Sequence, residues 1–165
     1  MARPSSTQPL VPSVFDRLID QNPGVPEDTD TSRSQLLREL RESVRRDLED
    51  LLNTRLPCHK FEEGMEELEY SVINYGIPDF SGNNLVSDRE KERFRRQLEL
   101  VISFFEPRFK EVKVELVEGS DEYDRTLRFR IDALLNVQPA VKPIVFDSSM
   151  EPVTHNFRVR DLDSD

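Results

Sequence analysis

The hydrophobic period of this chain changes at one point. Before Glu106-Pro107-Arg108 the apolar residues recur every three or four positions, and after it they alternate every second position. The first period buries a stripe of a helix, the second one face of a strand. A chain built in that order must lay early helices on a sheet formed later, which is an α+β arrangement. The pattern predicts two amphipathic helices packed on one face of a small, mostly antiparallel sheet, with an N-terminal arm in front.

Leu36, Leu37, Leu40, Val44, Leu48, Leu51 and Leu52 form the first stripe and predict a helix over about 34–53. Its other face carries Arg38, Glu39, Arg41, Glu42, Arg45, Arg46, Asp47, Glu49 and Asp50. That face is expected to be solvated, with Glu42 and Arg46 in the favourable i,i+4 order. Pro57 lacks a backbone donor and blocks continuation. Within 70–79, Gly76 and Pro78 mark a fixed turn. Ser87 and Glu90 read as a capping box. The second helix then runs to Phe105, burying Phe94, Leu98, Val101, Ile102 and Phe105. Pro107 ends it, because the residue before a proline disfavours helical dihedrals.

Val112, Val114 and Leu116 alternate with charged residues, as do Leu127, Phe129 and Ile131 after a polar loop, giving a hairpin. The second strand extends or bends through 133–137. Segments 144–146 and 155–159 predict two more short strands, separated by a loop over 147–152. No internal repeat is expected. Residues 1–33 read as a proline-rich arm with one amphipathic turn over 14–19, started by Ser13. Its Phe15, Leu18 and Ile19 should dock either on the domain's own core or on a partner. Residues 34–160 make the domain and 161–165 an acidic tail.

Chemistry is sparse. A single Cys and two His are a poor metal inventory, and adjacent Cys58 and His59 point apart on an extended segment, far in sequence from His155. Five glycines supply no phosphate-cradling loop. No catalytic, cofactor-binding or metal residue is therefore predicted. Paired carboxylates leave one enzymatic alternative, a peptidoglycan glycoside hydrolase, although there is no Trp to stack on sugar rings. A net charge of −10 disfavours nucleic acid unless basic residues cluster. Arg89, Lys91, Arg93, Arg95 and Arg96, and also Arg125, Arg128 and Arg130, are interleaved with acids, as on a mixed-charge protein surface. Short apolar runs exclude a spanning helix, and the N-terminus lacks the apolar core of a signal peptide, so a cytoplasmic address is expected.

Glu106-Pro107-Arg108 is the most specific local feature. Proline fixes the chain direction after the helix, and Arg108 offers a planar fork for a carboxylate or carbonyl. Around it stand Ser13-Val-Phe-Asp-Arg-Leu18, Val44-Arg-Arg-Asp-Leu-Glu-Asp-Leu-Leu-Asn-Thr-Arg55, Ser71-Val-Ile-Asn-Tyr-Gly-Ile-Pro-Asp79, Ile102-Ser-Phe-Phe-Glu-Pro-Arg-Phe109 and Leu127-Arg-Phe-Arg-Ile-Asp-Ala133. In order and spacing these resemble the baseplate wedge proteins of contractile phage tails and, more closely, the TssE family of type VI secretion systems. The resemblance implies a non-enzymatic structural subunit of a cytoplasmic baseplate, without nucleic acid or membrane insertion. It implies that Glu106, Pro107 and Arg108 contact the wedge core bundle of TssF and TssG. TssK and the sheath proteins TssB and TssC are the further implied partners. An exposed sheet edge would then template the sheath by strand addition. Arg108→Ala is expected to weaken docking while leaving the fold intact.

Overall fold

A computed structural model describes residues 13–18, 32–57, 64–65, 67–68, 71–78, 87–117, 126–137, 141–151, 154 and 156–162. Cys58, His59, Arg125 and His155 lie outside them, as does most of the arm. Helix α1 is Val14–Leu18, α2 is Arg33–Asn53 and α3 is Asp88–Phe105. Strands β1 (Phe109–Val117), β2 (Leu127–Leu135), β3 (Lys142–Met150) and β4 (Phe157–Asp161) follow.

Each long helix starts where a serine satisfies an orphan amide. The Ser32 hydroxyl accepts the Gln35 N–H at 3.3 Å. The expected capping box forms at Ser87: its hydroxyl accepts the Glu90 N–H at 3.3 Å, and its own N–H reaches the Glu90 carboxylate at 3.4 Å. Between the helices a short 3-10 turn over Val72–Asn74 leads to Gly76, whose φ of +121° suits glycine alone. A Cβ there would meet the Thr54 carbonyl oxygen at 2.6 Å. That close approach lets Ile77 bridge to the end of α2, by Ile77 N–H to the Thr54 carbonyl and Leu56 N–H to the Ile77 carbonyl, both at 2.9 Å.

The sheet is an antiparallel meander in the order β1-β2-β3-β4. α3 packs on β1 and α2 on β4, both on one face. Val44, Leu48 and Leu52 of α2 and Phe94, Leu98 and Ile102 of α3 meet Phe129, Ile131, Phe146 and Phe157 of the sheet, all buried. Fully burying each such side chain is worth about 1.5–3 kcal/mol. The rings of Phe94, Phe129 and Phe157 step across the core edge to face, with centroids 6.5 and 5.7 Å apart.

Four expectations need correction. Residues 147–150 are strand, not loop: Ser148 and Met150 continue the inward alternation of Ile144 and Phe146 across β3. Asp161 closes β4 rather than opening a tail, because Arg41 of α2 grips its carboxylate at 2.8 and 2.5 Å. α1 does not dock by apolar packing, since Phe15 and Leu18 are 61% and 78% exposed. There is also an internal repeat. Glu42-Ser-Val-Arg-Arg-Asp-Leu-Glu49 and Glu92-Arg-Phe-Arg-Arg-Gln-Leu-Glu99 share a Glu-x-x-Arg-Arg-x-Leu-Glu pattern, each at the middle of its helix.

Candidate interaction site at the helix–strand junction

The repeat has a structural job at the two sheet edges. Arg45 pairs with Glu42 and Glu49 and donates to the Val159 carbonyl at 3.2 Å. Asn53, two turns on, donates to the Phe157 carbonyl at 3.0 Å and accepts the Phe157 N–H at 2.9 Å. It thus supplies to β4 the two bonds that a neighbouring strand would supply. Arg95 pairs with Glu92 and Glu99 and donates to the Val114 carbonyl at 3.1 Å, while Glu99 accepts the Val114 N–H at 3.2 Å. Neither edge is bare, contrary to the expected exposed edge. The charged face of α2 is likewise not simply solvated, and Arg46 pairs with Asp16 and, at 3.7 Å, with Asp47 rather than with Glu42.

The junction itself is a closed ionic knot. Glu106 caps α3, its N–H bonded to the Ile102 carbonyl at 2.9 Å, and is 4% exposed. Arg108 folds back on it: Nε and Nη2 each lie 2.5 Å from a carboxylate oxygen of Glu106. Nη2 also donates to Asp47 at 2.6 Å and Nη1 to the Ser43 hydroxyl at 3.1 Å. Ser43 passes the connection on, donating to Asp16 of α1 at 2.7 Å, and Arg46 donates to the second Asp16 oxygen at 2.7 Å. Pro107 stands exposed between the two locked residues.

Charge settles the state of these groups. Burial lowers the Arg108 pKa, but its bonds to Glu106 and Asp47 more than reverse this and keep it a cation. Burial pushes the Asp16 carboxyl up, yet hydrogen bonds from Ser13, Arg46 and Ser43 outweigh it and hold the group at about 2. Burial raises the Tyr75 phenol, and the charges of Asp50, Asp47 and Glu106 raise it further.

Beside the knot the core comes to the surface. Tyr75 meets Phe105 edge to face at 5.2 Å, and Phe105 meets Phe104 at 4.9 Å. Phe104 is 43% exposed, and in the turn before Tyr75, Val72 is 87% exposed. Three sequence-distant motif segments, around Asp16, Ser43–Asp47 and Glu106–Arg108, therefore converge on one network with an apolar margin. Asp16, Ser43, Arg46 and Asp47 were not singled out as site residues by sequence reasoning. The available signal was Ser43, a small polar residue beside the apolar stripe.

Among the described residues, no group of three or more His, Cys, Asp or Glu side chains is placed to hold a metal. No helix among them is long and apolar enough to cross a membrane.

Residues 38–140 match the model of the family described as baseplate wedge protein gp25. That segment holds most of α2, all of α3, the junction and the β1–β2 hairpin. By class the chain is a structural baseplate component; it belongs to the baseplate wedge protein gp25 family. Among solved structures, a chain of "The baseplate complex from the type VI secretion system" is similar at 17% identity and a TM-score of 0.48, over 69% of this chain and 96% of that one. No individual curated protein matches the chain in sequence.

Proposed function

We propose that the chain is a TssE-type wedge subunit of a type VI secretion baseplate. In this reading it docks through the Glu106-Pro107-Arg108 junction on the helical core bundle of TssF and TssG, within reach of TssK, and nucleates the TssB–TssC sheath. The observation that carries the reading is the convergence of the motif segments on a locked network beside exposed Phe104 and Pro107. A rigid charged knot with an apolar rim suits a partner made of helices, because apolar area supplies affinity and fixed charges set register. The subunit acts in the cytoplasm as a scaffold rather than as an enzyme.

Sheath nucleation by strand addition needs an edge to open. On β4 the helix side chains hold two residues of a five-residue strand, Phe157 and Val159; on β1 they hold one residue of nine, Val114. β1 is therefore the edge that a sheath strand joins at lower cost.

The competing glycosidase reading needs a carboxyl with a raised pKa as general acid. The displaced carboxyls among the described residues, Asp16, Glu92 and Glu115, all move down. The test is co-purification with a TssF–TssG complex. Arg108→Lys keeps a cation beside Glu106 but loses the fork, and should reduce capture at least about tenfold while remaining folded. Equal capture of the folded variant and the parent would remove Arg108 from the docking role.

A further inference from the structure

The sheet face turned away from the helices carries its own pattern. Two adjacent rungs cross it: Val117, Arg128, Ser149 and Arg158 on one, Glu115, Arg130, Asp147 and Arg160 on the next. Four arginines thus share a small area with two carboxylates, and both carboxylates are engaged. Lys113 donates to Glu115 at 2.6 Å and Arg130 to Asp147 at 3.2 Å. Among the described residues no carboxylate pairs with Arg158 or Arg160, both exposed. This happens on a chain of net charge −10, where acids are abundant enough to neutralise every arginine. The four arginines and Asp147 rim a shallow groove of about 620 Å³, lined also by Thr126 and by Asp161, whose carboxylate Arg41 holds.

Strand geometry sets the spacing. Arg128 and Arg130 are two residues apart on β2, as are Arg158 and Arg160 on β4, so each pair repeats at about 7 Å; β2 and β4 lie two strand spacings apart, about 10 Å. An extended peptide with a carboxylate at every second residue repeats at the same 7 Å. Each guanidinium fork can take a carboxylate in bidentate fashion. A continuous phosphate backbone, charged at every unit, fits less well, because Glu115 and Asp147 interrupt the face.

We propose that this face docks an extended acidic segment of a partner protein, two successive alternate carboxylates seated on Arg158 and Arg160 of β4, with Arg128 and Arg130 flanking them on β2. The surface lies across the sheet from the junction and does not depend on the wedge reading.

The test is fluorescence anisotropy with a labelled decapeptide of five Glu-Thr repeats, at low salt. The peptide should bind at least about tenfold tighter than one of equal composition with its glutamates in a single block. Arg158→Glu with Arg160→Glu should weaken binding at least about tenfold, and Arg158→Gln with Arg160→Gln should weaken it less, in the same direction. Arg89→Glu with Arg93→Glu on the exposed side of α3 should leave it unchanged. Circular dichroism and Tm verify that each variant is folded. Equal binding by the charge-reversed sheet variant, or tighter binding of a single-stranded oligonucleotide carrying the same number of charges, would overturn the proposal.

Discussion

Glu106 shows why the junction cannot be altered casually. Its carboxylate is buried and receives two side-chain bonds and the backbone N–H of Arg108, so removing the guanidinium leaves a charge inside the protein without its counter-ion. Breaking one side of such a pair costs about 3–5 kcal/mol, whereas replacing both members with apolar residues of similar volume is often neutral. Arg108→Ala should therefore lower unfolding stability in urea by that amount, and the expectation that it leaves the fold intact gives way. Glu106→Leu with Arg108→Met should recover most of the loss. If Arg108→Ala unfolds at the parental urea midpoint, the knot is a surface ornament and its structural role fails.

At the level of elements, two small devices tie helices to their neighbours. α1 is held by the Asp16 bonds to Ser43 and Arg46, with the Arg46 guanidinium also over the Phe15 ring at 5.5 Å, so its docking follows the titration of one carboxyl. The folded pKa of about 2 lies below the ordinary 3.8. The group consequently adds stability that is fully present above pH 4 and is lost as pH falls through about 2. Amide resonances of residues 14–18 should stay at their docked positions at pH 4 and shift only on approach to pH 2, and Asp16→Asn should show the undocked shifts at pH 7. Midpoint titration near pH 4 would contradict the assignment. The second device is the pair of edge clamps. An edge strand with unpaired backbone groups is a template for association, and natural sheets cover it. Arg95→Ala with Glu99→Ala should cost about 1–3 kcal/mol through lost charged hydrogen bonds and shift the protein toward larger species in light scattering. The same elution and scattering mass as the parent would show that the clamp does not guard β1.

For the whole molecule, what could be read in the sequence was local. Leu48, Leu52, Phe94, Leu98, Val114 and Ile131 announce their burial through spacing with near neighbours, which is why both helices and the first hairpin could be placed in advance. The strand after Phe146 hid because Asp147, Ser148 and Ser149 look like a turn, and only pairing with Phe129 and Arg128 makes them a ladder. The site hid for the same reason on a longer scale. Arg108 reaches Asp47 and Ser43 across 61 and 65 residues, and Asp16 reaches Ser43 and Arg46 across 27 and 30. No periodicity carries such pairings; Glu106, Pro107 and Arg108 stood out only because proline sits at the change of period. The most direct check of the docking claim is hydrogen exchange of the protein alone and bound to TssF–TssG. Protection should rise in the amides of 72–77 and 104–109 while β3 stays unchanged; unchanged exchange in both segments, with protection gained elsewhere, would contradict docking at the junction.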